Sequence, residues 1–251
     1  MNQRITNLRT KMKAQDLKAV LINNLKNVYY LTNFWGSNGT VLVTEERVVL
    51  FTDSRYTIHA HATCFPFVEI METRNELEEV AKIVKDAAIQ ELGFEDEITV
   101  GYHTRLATAF SGVALRALSD FVMEFRLIKD ETEVATIRKA CSISDQAFLD
   151  VLEFIKVGQT TELEAATFLD FRMRELGASG VSFDIISAAG ERSAMPHATP
   201  SDRIISPGDA LTLDFGCLYN HYVSDMTRTI YAGHVSDKER EIYETVLKAN
   251  Q

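Results

Sequence analysis

Residues 211–231, LTLDFGCLYNHYVSDMTRTIY, decide the fold of the second half of this chain. Apolar and polar side chains alternate on both sides of Tyr219-Asn220, and a period of two is typical of β-strands. The stretch therefore predicts a hairpin with Tyr219-Asn220 as its two-residue turn. With that turn Asp214 lies directly opposite Asp225, and opposed side chains on one face of a sheet have Cβ atoms about 4.5–5.5 Å apart.

Two carboxylates this close repel each other unless one is protonated or a cation lies between them. Four apolar neighbours in the sequence predict that little water screens the pair: Leu213, Phe215, Val223 and Met226. A divalent metal ion bound by Asp214 and Asp225 would relieve the repulsion. The alternative is a pair of solvated acids at a sheet edge, because carboxylate metal sites have no fixed sequence spacing.

Two further residues near the hairpin are candidates for the same site. His197 lies in the segment Met195-Pro196-His197-Ala198, within a proline-rich loop before the hairpin. There it can donate a proton or a hydrogen bond to a substrate, although a loop histidine is also a common surface residue. Thr227 shares a face with Asp225 by period-two counting, so its hydroxyl can hydrogen-bond a ligating carboxylate. A threonine is equally a good strand former.

The composition indicates a globular protein and excludes several function classes. The chain has 251 residues, 46% of them hydrophobic, and a formal net charge of −10. Most of the excess negative charge lies in the second half, which argues against a nucleic-acid partner. The sequence contains no nucleophile-elbow, P-loop or dinucleotide-binding motif.

The cysteines and the apolar runs predict a cytoplasmic protein without a membrane partner. Three widely spaced cysteines, Cys64, Cys141 and Cys217, indicate neither a disulfide framework nor a zinc knuckle. We expect them to be small buried side chains in a reducing compartment. The N-terminus lacks the apolar segment of a signal peptide, and no run of eighteen apolar residues occurs.

The order of strand and helix patterns predicts two domains, residues 1–125 and 126–251. Strands alternate with helices over the first domain, which indicates an α/β fold with a mixed sheet. This domain includes an expected strand at 99–101 and an expected helix at 104–118. In the second domain capping boxes predict three helix starts, and a single strand is expected over 180–189. The capping pairs are Asp130 with Glu133, Thr161 with Glu164, and Ser236 with Glu239.

Four blocks of the second half, together with one block of the first, resemble a known family. In the second half these are Ser182-Phe183, Met195-Pro196-His197-Ala198, and the segments 208–216 and 224–229. They are similar to the proline-specific pita-bread metallopeptidases, aminopeptidase P and prolidase. The first half, with Thr52-Asp53-Ser54-Arg55-Tyr56 after a strand, resembles the creatinase-type N-terminal domain of the same family. The resemblance implies an α/β N-terminal domain with a mixed sheet, followed by an α+β pita-bread domain.

The resemblance also implies roles for the candidate residues. Asp214 and Asp225 match the first two ligands of a centre with two divalent metal ions, usually manganese, with cobalt or zinc as alternatives. Asp225 would bridge both ions, His197 would match the histidine that binds the substrate and stabilises the reacting peptide, and Thr227 would support a ligand. The implied activity is release of the N-terminal residue from a peptide with proline at the second position. Prolidase activity, or a non-catalytic module that binds peptides or proteins, remains the alternative.

The family's other metal ligands, one histidine and two glutamates, match no position before Gln251. We therefore expect the chain to be an incomplete form of the pita-bread domain. A polypeptide of these 251 residues alone is expected to be inactive and to expose an apolar patch. Members of the family commonly form homodimers in which the N-terminal domain of one subunit lies near the active site of the other. Trp35 is the candidate for such a contact, or else a half-buried aromatic residue of its own domain.

Overall fold

The structure, a computed structural model, describes residues 2–251 and divides them into two compact units. The first unit extends to Ile128 and the second begins at Lys129. The change from one unit to the next falls a few residues after the domain boundary predicted at 125/126. Within residues 2–251 no helix combines the length and the apolar character needed to cross a membrane.

The first unit is a six-stranded mixed sheet with helices on both faces. Its strands are β1 (Ala19–Ile22), β2 (Thr40–Thr44), β3 (Val48–Thr52), β4 (Glu69–Glu72), β5 (Glu91–Glu95) and β6 (Ala114–Leu118). Its helices are α1 (Gln3–Ala14), α2 (Leu25–Thr32), α3 (Thr57–Thr63), α4 (Glu76–Asp86), α5 (Val100–Ala109) and α6 (Met123–Leu127). The strand order is β4-β3-β2-β1-β5-β6, with β1 antiparallel to β2 and parallel to β5. The predicted α/β fold with a mixed sheet is confirmed.

The central strands of this sheet are buried on both faces. Every residue of β1, β2 and β3 is buried, which explains why their sequences are nearly continuous apolar runs. One core cluster contains Leu8, Leu31 and Phe34, and the other contains Val80 and Leu92. The sheet therefore separates two apolar layers within the first unit.

The second unit contains two small antiparallel sheets packed on two long helices. Its helices are α7 (Glu131–Phe154), α8 (Glu162–Glu175) and α9 (Asp237–Asn250). Its strands are β7 (Gly180–Val181), β8 (Ile186–Ala189), β9 (Ala210–Phe215), β10 (Cys217–Tyr219), β11 (Tyr222–Val223) and β12 (Met226–Tyr231). The sheets have the orders β12-β9-β8 and β11-β10-β7. A short 3-10 helix, Gly190–Ala194, follows β8.

The packing of β9 separates its core face from its open face. Leu211, Leu213 and Phe215 are buried in a cluster with α7 and α8, whereas the alternate residues Thr212 and Asp214 are partly exposed. Small or compact side chains line the inner face of α7, where Ala140, Ile143, Ala147 and Val151 are buried. The helices therefore cover one face of the sheet and leave Asp214 on the other.

The three predicted capping boxes are confirmed. In each, the side chain of the first residue accepts a hydrogen bond from the third helical N–H, and the glutamate side chain accepts one from the N-cap N–H. The reciprocal bonds satisfy two groups that a helix start would otherwise leave unpaired. Helix α9 contains no buried residue, and the apolar stripe formed by Ile242, Tyr243, Val246 and Leu247 is exposed.

Two predictions for the first unit are wrong in their boundaries. Residues 99–101 do not form a strand, because the Thr99 hydroxyl accepts a hydrogen bond from the N–H of Tyr102 and caps α5. The helix expected over 104–118 ends near Phe110, and the chain then passes through Gly112 at φ +90° into β6. Glycine adopts this left-handed conformation without the strain of a side chain, so a turn replaces the helix there.

Two predictions for the second unit are also corrected. The single strand expected over 180–189 is divided into β7 and β8, which belong to different sheets. Ser182 leaves the ladder because its N–H and its hydroxyl bond Gly216 and Ser224 instead. Only Cys217 is a buried cysteine; Cys64 is half-buried and Cys141 is exposed.

Glu95 brings a titratable group into the interior of the first unit. Its carboxylate accepts hydrogen bonds from the backbone N–H groups of Asn23 and Asn24 and from the side-chain amide of Asn27. The residue is only 6% exposed. Removal from water raises the pKa of Glu95 above its ordinary value of 4.5, although the three donors act in the opposite direction.

We expect Glu95 to make the stability of the chain depend on pH in a defined direction. A raised carboxyl pKa means that the folded state binds the proton more readily than the unfolded state. The stabilising contribution is then fully present below pH 4.5 and is lost as the pH rises through the raised pKa. Urea unfolding measures the free energy of unfolding of the wild type and of Glu95→Gln. The excess of the wild-type value should shrink as the pH rises from 4.5 through the raised pKa. Glu46→Gln, which removes an exposed carboxyl that does not act on Glu95, is the matched control; a growing wild-type advantage would contradict the expectation.

Candidate metal site on a bent hairpin

The hairpin that carries the two acids exists, but its turn lies one residue later than predicted. Tyr219 pairs with Tyr222, so the turn residues are Asn220 and His221. Both have positive φ, +45° and +68°, as a type I′ turn requires. Asparagine adopts this conformation more readily than tyrosine, which explains why the turn does not use Tyr219.

The later turn changes the register and corrects the predicted opposition of the two acids. Asp214 pairs with Thr227 and Phe215 with Met226. Continuing this register places Asp225 across from Gly216, so Asp214 and Asp225 are diagonal rather than direct neighbours. Diagonal neighbours in a regular sheet are about 7–8 Å apart at Cα, a separation that long or ligand-bridged side chains still span.

The hairpin is interrupted at Gly216, where the chain passes from one sheet to the other. Ser182 donates from its N–H to the carbonyl oxygen of Gly216 and from its hydroxyl to that of Ser224. The buried Ser224 hydroxyl in turn contacts the hydroxyl of Ser144 at 2.6 Å and accepts from the N–H of Cys217 at 2.9 Å. Side-chain bonds thus replace ladder bonds at the bend, and Asp214 and Asp225 lie on either side of it.

Water reaches both acids, contrary to the sequence-based expectation. Asp225 is exposed and Asp214 is partly exposed. Of the four apolar neighbours in the sequence, Leu213, Phe215 and Met226 point into the core, whereas Val223 is 50% exposed. Because strand neighbours alternate between faces, the residues next to an acid in the sequence shield the opposite face of the sheet.

Thr227 contacts Asp214 directly. Its hydroxyl donates a hydrogen bond to one carboxylate oxygen of Asp214 at 2.8 Å across the strand pair. This bond fixes the orientation of the Asp214 carboxylate and leaves its second oxygen available. Within residues 2–251 the Asp225 carboxylate forms no hydrogen bond, so both of its oxygens can accept a ligand.

His197 lies in the loop that joins β8 to β9. The loop begins with the 3-10 helix beside these two strands, and His197 itself is exposed. In the part of the chain that the structure describes, no hydrogen bond joins His197 to Asp214, Asp225 or Thr227. The structure therefore brings Asp214 and Thr227 into contact and places His197 on the adjoining loop.

The end of this loop is held by an ion pair between Arg203 and Asp209. Arg203 contacts the Asp209 carboxylate through both terminal nitrogens, at 2.6 and 3.1 Å, and Asp209 also accepts from the N–H of Ser206. The Arg203 guanidinium lowers the pKa of Asp209, because its hydrogen bonds favour the ionised carboxylate. Gly190 packs against this pair, and a Cβ there would overlap both side chains.

The donor set suits a hard divalent cation only in part. Carboxylate oxygens are favoured ligands of manganese, magnesium and calcium, and Asp214 and Asp225 present three oxygens without a hydrogen-bond partner. However, the described residues contain no group of three or more histidine, cysteine, aspartate or glutamate side chains placed to hold a metal ion. Among the described residues, the chain thus supplies two candidate ligands and an orienting hydroxyl, fewer groups than a complete metal site needs.

Sequence reasoning missed the residues that shape the site rather than bind at it. The bend depends on Gly216, Ser182, Ser224 and Ser144. The first three lie in blocks that resemble the family, but the sequence assigned no role to any of the four. Glu162 is completely buried below the His197 loop, yet in the sequence it is an ordinary acid in the first turn of α8. One sequence signal could have indicated a buried acid there: an arginine stands on each side of His197, Arg192 and Arg203.

Each half of the chain matches a known protein family. The profile described as metallopeptidase family M24 matches residues 135–251, and the creatinase/prolidase N-terminal domain matches residues 4–128. An uncharacterized peptidase of Bacillus subtilis is 36% identical over 247 residues, which cover 98% of this chain and 70% of that protein.

Solved structures of two relatives match the fold over 98% of this chain. The Xaa-Pro dipeptidase from Bacillus anthracis superposes with a TM-score of 0.92 at 39% identity, over 98% of this chain and 69% of that one. The X-Pro aminopeptidase from Thermotoga maritima gives a TM-score of 0.87 at 35% identity, with the same shares of the two chains. These structures share the fold of both units and are longer than the present chain.

We expect Gly216→Ala to distort the hairpin at the bend. A Cβ at this position would overlap the carbonyl oxygen of Ser224 and the hydroxyl of Ser182. The backbone must shift, at a cost of about 1–3 kcal/mol in the free energy of unfolding. Gly101→Ala in α5 is the matched control, because its Cβ would meet nothing closer than 4.0 Å. Chemical denaturation of both variants measures the difference, and equal stabilities would show that the bend tolerates a side chain.

Proposed function

Because the chain belongs to metallopeptidase family M24 and carries a creatinase/prolidase N-terminal domain, we propose that it is a metal-dependent peptidase that releases the N-terminal residue from Xaa-Pro peptides. The family resemblance and the predicted fold class, an α/β domain followed by a pita-bread domain, are confirmed. The observation that carries the proposal is the arrangement on the bent hairpin, with Asp214 oriented by Thr227 and Asp225 open on the other side of the bend.

Asp214 and Asp225 would be the ligands that this chain contributes to a centre of two divalent ions, with manganese preferred over cobalt or zinc. When bound, such ions supply Lewis acidity and lower the pKa of water to near neutrality. The chain's own residues prepare the ligands. Thr227 holds Asp214 in one orientation, and the open oxygens of Asp225 suit a bridging role.

His197 would act on the substrate side of the same site. An imidazole donates or accepts a proton near neutral pH, and a positioned N–H stabilises charge that develops on a carbonyl oxygen. The exposed position of His197 on the loop beside β8 and β9 leaves it accessible to a peptide. We assign it to substrate binding and to stabilisation of the reacting peptide bond.

The same family contains a second candidate activity, cleavage of Xaa-Pro dipeptides. It is favoured by the likeness to the Xaa-Pro dipeptidase from Bacillus anthracis, whereas the likeness to the Thermotoga maritima aminopeptidase favours longer peptides. Both activities require the same metal ligands and differ in how far the substrate extends beyond proline. Substrate length therefore distinguishes them.

We also propose a cytoplasmic homodimer. The three cysteines are free, which is typical of proteins from reducing compartments. Trp35 is 51% exposed, stands edge-on to the His59 ring, and is our candidate for a contact between subunits. The exposed apolar stripe on α9 is a second surface that association would cover.

Peptide hydrolysis tests the proposed activity. The longer form is defined as this chain extended to the length of its relatives. We expect it to hydrolyse an Xaa-Pro-Yaa peptide in the presence of manganese. We expect the 251-residue polypeptide to show no hydrolysis above background, because its described residues supply only two candidate ligands. Release of the first residue by the short form would contradict the incomplete-site interpretation.

Two arms of the assay separate the alternatives. Preferred hydrolysis of an Xaa-Pro dipeptide over the tripeptide would establish the dipeptidase activity instead. Peptide binding without hydrolysis by the longer form would establish the non-catalytic module. Asp225→Asn in the longer form is the control for metal dependence and should abolish both manganese binding and turnover.

Substitution of His197 should separate turnover from metal binding. In the longer form we expect His197→Gln to lower kcat by about 100-fold or more, as loss of a proton-transferring or hydrogen-bonding side chain does. Manganese content, measured on the purified protein by mass spectrometry, should stay at the wild-type value. A variant that retains full kcat would remove His197 from the proposed site, and one that loses manganese would make it a metal ligand.

A further inference from the structure

The loop that carries His197 is anchored on one buried carboxylate. Glu162, the first residue of α8, has no exposed surface. One of its oxygens accepts from the N–H of Ala189 at 2.8 Å, and the other accepts from the N–H and the hydroxyl of Ser201 at 3.1 and 2.6 Å. Ala189 ends β8, and Ser201 belongs to the returning limb of the loop. A single side chain therefore holds both limbs together.

Arg192 links the same carboxylate to the part of the loop next to His197. Its Nε lies 3.0 and 3.2 Å from the two oxygens of Glu162, and its Nη2 donates to the carbonyl oxygen of Thr199 at 2.6 Å. Thr199 is two residues beyond His197 in the sequence. The guanidinium thus crosses the loop and fixes the segment 192–199 at both ends.

The charge of Glu162 makes this connection strong. A buried carboxylate is costly unless its oxygens are hydrogen-bonded and its charge is matched. Here Arg192 supplies the matching charge, and Ala189 and Ser201 supply neutral donors. The first N–H groups of α8 also bond the returning limb, from Glu162 to the carbonyl of Arg203 and from Leu163 to that of Ser201. Loss of the loop conformation would leave several of these groups unpaired.

We propose that Glu162 and Arg192 are positioning residues, which hold the loop in the conformation that presents His197 to the substrate. This inference rests on the proposed function for its catalytic consequence. It adds the ion pair of Glu162 and Arg192 to the residues on which the proposed activity depends. Within residues 2–251 no hydrogen bond or ion pair joins Glu162 or Arg192 to the His197 side chain or to the two acids on the hairpin. The pair would therefore act through the path of the loop backbone.

Arg192→Lys is the variant that isolates this role. Lysine retains the charge that Glu162 needs, which protects the fold, whereas removal of Glu162 itself would leave buried donors unpaired. A single ammonium cannot reproduce the fork that reaches Glu162 and Thr199 together. Arg172→Lys is the matched control, because Arg172 also bridges two groups of the second unit, Asp150 at 2.6 Å and Glu175 at 2.9 Å, away from the loop.

Amide hydrogen exchange of the 251-residue chain tests whether the pair holds the loop. The N–H of Met195 donates to the backbone carbonyl oxygen of Arg192, and the N–H of Ala198 donates to that of Met195, so neither amide bonds the Arg192 side chain. We expect Arg192→Lys to accelerate their exchange by about tenfold or more, through local opening of the loop, and to leave β9 and α7 unchanged. Arg172→Lys should leave both amides at the wild-type rate. Equal rates in the two variants would overturn the proposal.

Kinetics of the longer form test whether the held conformation matters for turnover. Small displacements of a catalytic group reduce rates strongly, so we expect Arg192→Lys to lower kcat by about tenfold or more with KM little changed. The double variant with His197→Gln should show no further loss, because both changes act through the same imidazole. Accelerated exchange with an unchanged kcat would overturn the catalytic part. If the longer wild type hydrolyses no Xaa-Pro peptide, the proposed function fails, and the exchange experiment still decides whether the pair holds the loop.

Discussion

The close approach of Gly216 to the backbone of Ser224 is the constraint on which the candidate site depends. At this point no Cβ fits. Bonds donated by the Ser182 hydroxyl and accepted by the Ser224 hydroxyl replace ladder bonds of the hairpin. The chain can therefore leave one sheet and enter the other without unpaired backbone groups. The bend separates Asp214 from Asp225, with the apolar faces of β9 and β12 packed on α7 and α8 below them.

Two different kinds of interaction hold the backbone around Asp214 and Asp225. The hairpin is held by packing, since the inner residues of β9 are almost completely buried against the helices. The neighbouring loop has few buried residues and is held by charge, through Glu162 with Arg192 and through Arg203 with Asp209. Apolar packing fixes a sheet because alternate residues share one face, whereas an irregular loop has no such face and needs directional bonds. The site is thus assembled from two parts that respond differently to mutation.

The sequence predicted the elements that depend on local patterns. The hairpin, the mixed sheet and the three capped helices follow from periodicity and from capping residues, which act within a few positions of each other. Strand periodicity and loop position marked Asp214, Asp225, Thr227 and His197 as candidates, and the family blocks then implied their roles. The register of the hairpin was predicted wrongly because it depends on backbone conformation at Asn220 and His221, which hydrophobic alternation does not encode.

Other features were beyond prediction because they join distant segments. Glu162 meets Ala189, Arg192 and Ser201 only after the chain has folded, and its sequence position in the first turn of α8 suggests the ordinary role of an acid at a helix start. The break between β7 and β8 likewise results from bonds that Ser182 makes to residues far along the chain. Burial of Glu95 among asparagine donors is a further example, because all its donors come from residues 23–27, about 70 positions earlier in the chain.

The placement of both acids on a single hairpin has a consequence for the order in which the site forms. Contacts between residues close in sequence form early because little loop entropy is lost, and isolated hairpins close in about 1–10 microseconds. The Asp214–Thr227 contact belongs to this local class. The bonds of Glu162 to Arg192 and Ser201 connect residues farther apart. We therefore expect a refolding chain to form the contact between Asp214 and Thr227 before the bonds that hold the loop of His197.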